Sequence, residues 1–375
     1  MRCLELFSGC GGLAKGLELA GFNHSHFVEF DKHACNTLRK NYGDDLVFEG
    51  DVRDFNFRSI GDVDIVAGGP PCQPFSLGGK HKANDDSRDM FPYAIKAIET
   101  LTPKAFVFEN VKGLLRESFS EYFEYVILRL SFPKLKIKKD EEWRAHLNRL
   151  KKIKLSSYKG VTYDVYFKLI NAADYGVPQT RERVFIVGIR SDLRKVWKFP
   201  NPTHSEDKLL WDKFVTYEYW KRHDLKFKPT VEEIKIADML KNKYGIFPPD
   251  DLAWLTLRDI LCKIPDPKSK YNTIQDHIFK DGAKVYAGHN GSHFDSPSKT
   301  IKAGGHGVPG GENMIRFDDG SVRYLTTFES KLVQTFPSDF VISGAWGESM
   351  RQIGNAVPVT LAHTIGKQLF NLLKF

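Results

Sequence analysis

Arg2-Cys3-Leu4-Glu5-Leu6-Phe7-Ser8-Gly9-Cys10-Gly11-Gly12-Leu13-Ala14-Lys15-Gly16-Leu17-Glu18-Leu19-Ala20 is the stretch that decides the architecture. Residues 2–7 read as a short strand, Gly9, Gly11 and Gly12 break it, and residues 13–20 carry helical apolar spacing. Working outward, short apolar runs at 26–30, 46–49, 63–67 and 105–109 alternate with helical stretches at 31–41, 91–101 and 114–130. Residues 163–169 and 184–189 bring the strand count to about seven. Such alternation predicts an α/β fold with a mostly parallel sheet and helices on both faces.

Beyond residue 190 the alternation is lost and aromatics, Lys and Pro accumulate, among them Trp211, Tyr217, Tyr219, Trp220, Tyr244, Trp254 and Tyr271. A smaller second domain of irregular build is expected there. Leu361, Ile365, Leu369 and Leu372 restore helical spacing near the end, so that the last stretch can pack back onto the first domain. The expected division is 1–190 with 340–375 as one domain and 191–339 as the other.

At 375 residues, 41% hydrophobic and 27% charged, the composition is that of an ordinary globular protein and excludes disordered and collagen-like classes. No apolar run reaches the roughly 18 residues of a membrane span, and the start lacks a secretory h-region, so a cytoplasmic location and no membrane partner are expected. Cys3, Cys10, Cys35, Cys72 and Cys262 are odd in number and scattered, which argues against a disulfide framework and against a CxxC zinc site; no metal is expected. The net charge of +8 points to a polyanionic partner. Residues 131–160 hold ten Lys/Arg against three acids. Trp143, Leu147 and Leu150 within this basic insert lie at helical spacing, so part of it reads as an amphipathic helix. A phosphate-binding arm and a solvated charged helix are both open readings, the second slightly favoured.

A glycine turn after a first strand lets backbone approach a cofactor, and an acid about 20 residues on can hold ribose hydroxyls. Glu29 is that acid here, although Gly9-Cys10-Gly11-Gly12 lacks the GxGxxG spacing of dinucleotide enzymes. Asp51 follows the third strand and can accept from an adenine amino group. The glycines alone do not choose a cofactor and serve equally as turn residues. The chemical signal is Gly68-Gly69-Pro70-Pro71-Cys72-Gln73-Pro74-Phe75-Ser76, a cysteine in a stiff turn at a strand's carboxyl end. Glu109-Asn110-Val111 ends the next strand at the same edge, and Gln179-Thr180-Arg181-Glu182-Arg183 offers two guanidinium groups two residues apart.

In order along the chain, Phe7–Gly12, Glu29, Asp51, Pro70–Gln73, Glu109–Val111, Gln179–Arg183, Arg323–Phe336 and Gly354-Asn355-Ala356-Val357-Pro358 closely resemble the DNA cytosine-5 methyltransferases of bacterial restriction–modification systems. The resemblance covers most of the chain. It implies the S-adenosylmethionine-dependent, Rossmann-like methyltransferase fold with a target-recognition domain beside it. It makes Cys72 the nucleophile, assigns Glu109 to the ring nitrogen and Arg183 to the base carbonyl, and has Arg181 steady the cysteine loop or a phosphate. Asn110 orients Glu109 or the neighbouring loop. Around the cofactor it gathers Phe7, Gly9, Cys10, Gly11, Gly12, Glu29, Phe30, Asp51, Val52, Pro70, Met90, Asn355 and Ala356, with Phe30 stacked on the adenine. The expected substrate is a flipped cytosine in double-stranded DNA, with residues 73–89 as a closing lid and Lys302–Gly307 as a candidate backbone approach to DNA. A restriction endonuclease acting on the same site is also expected, and a monomer is the default where the sequence leaves the oligomeric state open.

Three rivals remain. Some relatives methylate cytosine in transfer RNA, but the long recognition region and Gln73-Pro74-Phe75-Ser76 favour DNA. An amino-group methyltransferase needs no cysteine. An inactive DNA-binding relative is disfavoured by the intact Cys72, Glu109 and Arg183.

Overall fold

The computed structural model describes residues 1–71, 89–154, 157–287, 289–303 and 311–374. Its main sheet has seven strands: β1 (Arg2–Leu6), β2 (Asn23–Glu29), β3 (Val47–Glu49), β4 (Ile65–Gly68), β5 (Ala105–Val111), β6 (Tyr163–Asn171) and β7 (Glu182–Arg190). They are ordered β3-β2-β1-β4-β5-β7-β6, with only β7 antiparallel to its neighbours. The expected seven-stranded, mostly parallel sheet is what the chain forms.

Side chains alternate across the sheet as strand geometry demands. Leu4, Leu6, Val66, Phe106, Phe108, Val184 and Ile186 face one core cluster, while Cys3, Ile65, Ala67, Ala105, Val107, Phe185, Val187 and Ile189 face another. Both faces are therefore apolar, which is why the parallel strands read as continuous hydrophobic runs. The first face is covered by α3 (Phe91–Leu101) and α4 (Ser120–Ser131), the second by α1 (Gly12–Ala20). α2 (Lys32–Tyr42) packs Leu38 against Ala14 of α1 and Phe27 of β2.

The chain's last helix, Val359–Lys374, returns to the sheet and joins the α1 side through Leu361, Ala362, Ile365 and Leu369. Backbones approach so closely there that a Cβ on Gly16 would lie 2.3 Å from Ala362 Cβ and 2.6 Å from His363 N. Only glycine at position 16 permits this contact.

Two expectations shift. The helix read at 114–130 begins only at Ser120, because the turns Lys112–Leu115 and Glu117–Phe119 first carry the chain off β5. β2 begins at Asn23, three residues earlier than hydropathy suggests: Ser25 Oγ donates to Cys3 O at 3.0 Å and His24 Nε2 meets Ala14 O at 3.0 Å, so main-chain carbonyls take up one polar atom of each of these side chains.

In the basic insert, α5 (Trp143–Lys151) packs Leu147 and Leu150 into the same core as α3 and α4. Its charges meet acids rather than standing free: Arg144 pairs with Glu121 at 2.9 Å, Lys151 with Glu124 at 2.7 Å, and Arg149 with Glu141 at 2.7 Å. The amphipathic helix is therefore a seated one.

Residues 191–355 build the short elements β8 (His204–Ser205), α6 (Glu206–Phe214), α7 (Glu218–Arg222), α8 (Val231–Tyr244), β9 (Leu252–Ala253), α9 (Leu257–Leu261), β10 (Ser292–His293), β11 (Met314–Arg316), β12 (Val322–Tyr324), α10 (Thr327–Val333) and α11 (Trp346–Asn355). Leu257, Ile301, Ile315, Leu325, Phe336 and Met350 share one cluster with Cys10 of the glycine turn. Among the described residues, no helix is long and apolar enough to cross a membrane.

Candidate active site

The carboxyl ends of β1, β2, β4 and β5, with the start of the reversed β7, frame a cavity of about 1020 Å³. Crevices of this kind lie outside the strand ends of open α/β sheets. Of the residues singled out in the sequence, Phe7, Gly9, Gly12, Glu29, Phe30, Asp51, Val52, Pro70, Met90, Glu109, Asn110, Arg183, Asn355 and Ala356 line it. Cys72, the rest of 73–88, and Gly304–Gly307 lie outside the described residues.

Gly12 opens α1 against residues 356–357, where a Cβ would sit 2.3 Å from Val357 O. The turn is held from β2: Glu29 Oε2 accepts from Gly9 N at 2.7 Å, and Oε1 accepts from Phe30 N at 2.9 Å and Asp31 N at 2.8 Å. A carboxylate has about four acceptor positions, so one remains on Oε2. Burial raises the Glu29 pKa, opposed by these three N–H groups. Phe30, next in the chain, is 76% exposed, an unusual setting for a phenyl ring unless something covers it. Asp51 grips Arg53, accepting from its Nη2 at 2.5 Å and from its backbone N at 2.9 Å, and the Arg53 guanidinium holds its carboxyl below the usual range.

On the opposite side, Glu109 and Arg183 come from adjacent antiparallel strands, β5 and β7. Glu109 Oε1 lies 2.8 Å from Arg183 Nε, yet off the N–H axis, so this buried oxygen has no aligned hydrogen bond. Asn110 Nδ2 donates to Pro70 O at 2.9 Å and its Oδ1 accepts from Val111 N at 2.9 Å, tying β5 to the turn that precedes Cys72.

Three residues do not reach the cavity. Cys10 turns its Sγ to Gln352 O at 3.4 Å, and burial pushes its thiol up to about 12. Gly11 backs onto Leu38. Arg181 is the third. It is 1% exposed, its Nη2 donates to Gly354 O at 2.8 Å and Ala356 O at 3.0 Å, and its Nη1 donates to Ile301 O at 3.3 Å. Donating to three main-chain carbonyls through Nη1 and Nη2, the guanidinium is a strut between these segments; its buried Nε has no hydrogen-bond partner among the described residues, and the loop 72–88 that it was expected to steady lies outside them.

The family described as C-5 cytosine-specific DNA methylase matches the chain over residues 1–133 and 137–371. The chain belongs to this family. It is a DNA cytosine-5 methyltransferase. The type II methyltransferase M.NgoMIV of Neisseria gonorrhoeae is 31% identical over 375 residues, covering 99% of this chain and 97% of its own. M.PspPI of Psychrobacter is 32% identical over 385 residues, with 99% and 79% covered. Among solved structures, the Schizosaccharomyces pombe Dnmt2 methyltransferase superposes with a TM-score of 0.59 at 16% identity, covering 100% of this chain and 98% of that one, a likeness of fold.

The methylase also carries cavity residues that the sequence reading passed over. Arg351 on α11 bonds Asp31 at 2.7 Å, closing one wall. Glu5, an acid flanked by Leu4 and Leu6, lines the cavity while almost fully buried, and its Oε2 lacks any hydrogen bond among the described residues. His24 Nδ1 stands 3.9 Å from that oxygen and is equally unpartnered. Burial raises the Glu5 pKa well above 4.5 and lowers that of His24 to about 4, so the histidine offers no cation at neutral pH. A carboxyl whose folded pKa is raised contributes stability at low pH that is lost as pH rises through the folded value. Glu5→Gln should therefore gain in urea midpoint relative to the parent between about pH 5 and about pH 8; a difference constant across that range would refute the buried-carboxyl account.

His293, Asp295 and Asp318 converge away from the cavity, but Arg258 bonds both carboxylates, at 2.5 and 2.9 Å on Asp295 and 2.8 Å on Asp318. The guanidinium supplies the positive charge that a cation would bring.

Proposed function

We propose that this methylase modifies carbon 5 of cytosine within a specific double-stranded DNA sequence, by covalent addition of Cys72 to carbon 6 of a flipped base, as the modification enzyme of a restriction–modification system. The observation that carries the chemistry is the Glu109–Arg183 pair facing the same cavity as the glycine turn and Phe30. An acid and a guanidinium side by side match the adjacent ring nitrogen and carbonyl of cytosine. The type II methyltransferase names of the relatives support the biological role.

The cavity suits S-adenosylmethionine, which supplies the methyl group. Phe7, Val28, Val52 and Met90 give it apolar walls, Phe30 presents an open ring, and Glu5 offers an unpartnered carboxyl oxygen suited to an amino group. The spare lone pair of Glu29 suits a ribose hydroxyl and Asp51 an adenine amino group; Asn355 and Ala356 close the far side.

Carbon 5 of cytosine is a weak nucleophile. Addition of the Cys72 thiolate to carbon 6 pushes the electron pair toward the ring nitrogen, where Glu109 holds a proton, and leaves an enamine whose carbon 5 takes the methyl group. Arg183 binds the carbonyl oxygen. Loss of the carbon 5 proton and β-elimination then return the thiolate. Residues 191–339 act as the target-recognition unit, with 1–190 and 340–375 as the catalytic one. A cognate endonuclease meets the methylase through the shared DNA site alone, and the enzyme works as a monomer.

Duplex DNA and transfer RNA offered side by side with tritiated S-adenosylmethionine test the substrate, and bisulfite sequencing of DNA from a methylation-free host expressing the protein identifies the site. Label in DNA, with one protected sequence, is expected. Label confined to RNA, or DNA binding without transfer, would overturn the reading.

A further inference from the structure

The two ends of the stretch that carries Cys72 are joined: Met90 N donates to Pro71 O at 3.1 Å, while Asn110 holds Pro70. Asp89 sits at this closure, nearly buried, on the return side. One of its carboxylate oxygens accepts from Phe91 N at 3.2 Å, and the other accepts from the Tyr122 hydroxyl. Tyr122 projects from α4, and its ring meets Trp143 of the basic insert at 6.0 Å in an edge-on contact. Trp143 also packs on Tyr125 at 5.6 Å, and the Tyr125 hydroxyl meets His146 Nδ1 at 3.0 Å. The ion pairs of α5 with Glu121 and Glu124 hold this aromatic face on α4. The insert thus presents an aromatic brace inward and two of its charges, Arg144 and Lys151, to acids of α4.

We propose that Tyr122, backed by Trp143 of the insert, is a positioning residue for methyl transfer: it fixes Asp89 and with it the Pro71–Met90 frame that flanks Cys72. The inference rests on the covalent reading of Cys72. A nucleophile misplaced by about 1 Å can lose on the order of 100-fold in rate. A hydroxyl hydrogen bond to a buried carboxylate at the frame guards against that displacement without touching substrate or cofactor.

Tyr122→Phe keeps the ring and removes the hydroxyl. With saturating duplex DNA and S-adenosylmethionine, its kcat is expected to fall about tenfold, with the variant still folded at the assay temperature and the cofactor KM changed by less than that factor. The rate of covalent capture on duplex DNA containing 5-fluorocytosine, where the blocked proton loss prevents release, should fall by the same factor. Asp89→Asn should lose as much, and the double variant no more than either single one. Unchanged kcat and capture rate, or losses that multiply in the double variant, overturn the inference. Cys72→Ser and the parent run alongside separate the two levels. A parent whose transfer does not depend on Cys72 removes the covalent reading and this inference together. A parent that does depend on it, with Tyr122→Phe indistinguishable, removes the inference alone.

Discussion

Cys72→Ser is expected to lower methyl transfer to duplex DNA by roughly three orders of magnitude or more, as removal of a covalent nucleophile does elsewhere, while cofactor affinity stays within about twofold. A thiol of pKa about 8.5 supplies a few per cent of thiolate at pH 7, and a serine hydroxyl supplies essentially no alkoxide. At 1.36 kcal/mol per tenfold, the loss corresponds to about 4 kcal/mol of transition-state stabilisation. The wall proposed to hold the cofactor, lined by Phe7, Glu29, Phe30 and Val52, keeps its contacts, so binding and chemistry should separate. Single-turnover transfer with both substrates saturating, set beside equilibrium titration with S-adenosylmethionine, reads the two quantities. A serine variant within tenfold of the parent would show that the reaction proceeds without the sulfur. The residual rate of a dead variant measures what Glu109 and Arg183 achieve by holding the base alone.

The sheet was legible because each of its strands is either apolar on both faces or punctuated by glycine and proline. Ala105–Val111 is an example, with Phe106 and Phe108 inward on one side and Ala105 and Val107 on the other. The strand start furthest from the expected one is Asn23-His24-Ser25, where backbone carbonyls take up Ser25 Oγ and His24 Nε2. A pattern built on polarity has no term for that. The delayed start of α4 has a similar cause: Leu114 is buried and at helical spacing, but two tight turns carry it, because the chain must first leave β5.

At the candidate site, what the residues share is a sheet edge, and the order of strands with their punctuation gave that away. Direction of the side chains did not follow. Cys10 belongs to the same glycine turn as Gly9 and Gly12, yet its sulfur packs with Met350 and Ile353. The charge surplus at 131–160 left a phosphate-binding arm and a solvated charged helix both open; Glu121 and Glu124, which pair with Arg144 and Lys151, lie on a different helix and come into register only after folding. Glu5 carried a signal that was passed over: an acid flanked by leucines in a central strand must be paired, protonated or used.

Arg181→Met is expected to destabilise the methylase by about 3–5 kcal/mol, the cost of stripping a buried charged hydrogen-bond partner from its acceptors. Arg181 and Arg183 are two residues apart, but their environments differ. Arg183 meets a carboxylate at the cavity wall, whereas Arg181 meets Ile301 O, Gly354 O and Ala356 O, contributed by segments more than a hundred residues away. Burial and the neighbouring Arg183 push its pKa down to about 9, still above neutrality, so the charge is retained at pH 7 and the carbonyl dipoles must carry it. Methionine fills a similar volume but donates nothing. Ala356 O keeps a second donor, Gln334 Nε2 at 3.3 Å, so the heavier penalty falls on Gly354 O and Ile301 O. Lysine should recover only part of the loss, because one ammonium does not reproduce a planar fork reaching three acceptors. Asn355 and Ala356 line the cavity directly behind this strut, so cofactor affinity should weaken in the folded variant as well. Urea unfolding of parent, Arg181→Met and Arg181→Lys gives the order; a methionine variant within 1 kcal/mol of the parent would mean that the three carbonyls find other donors and that the strut is dispensable.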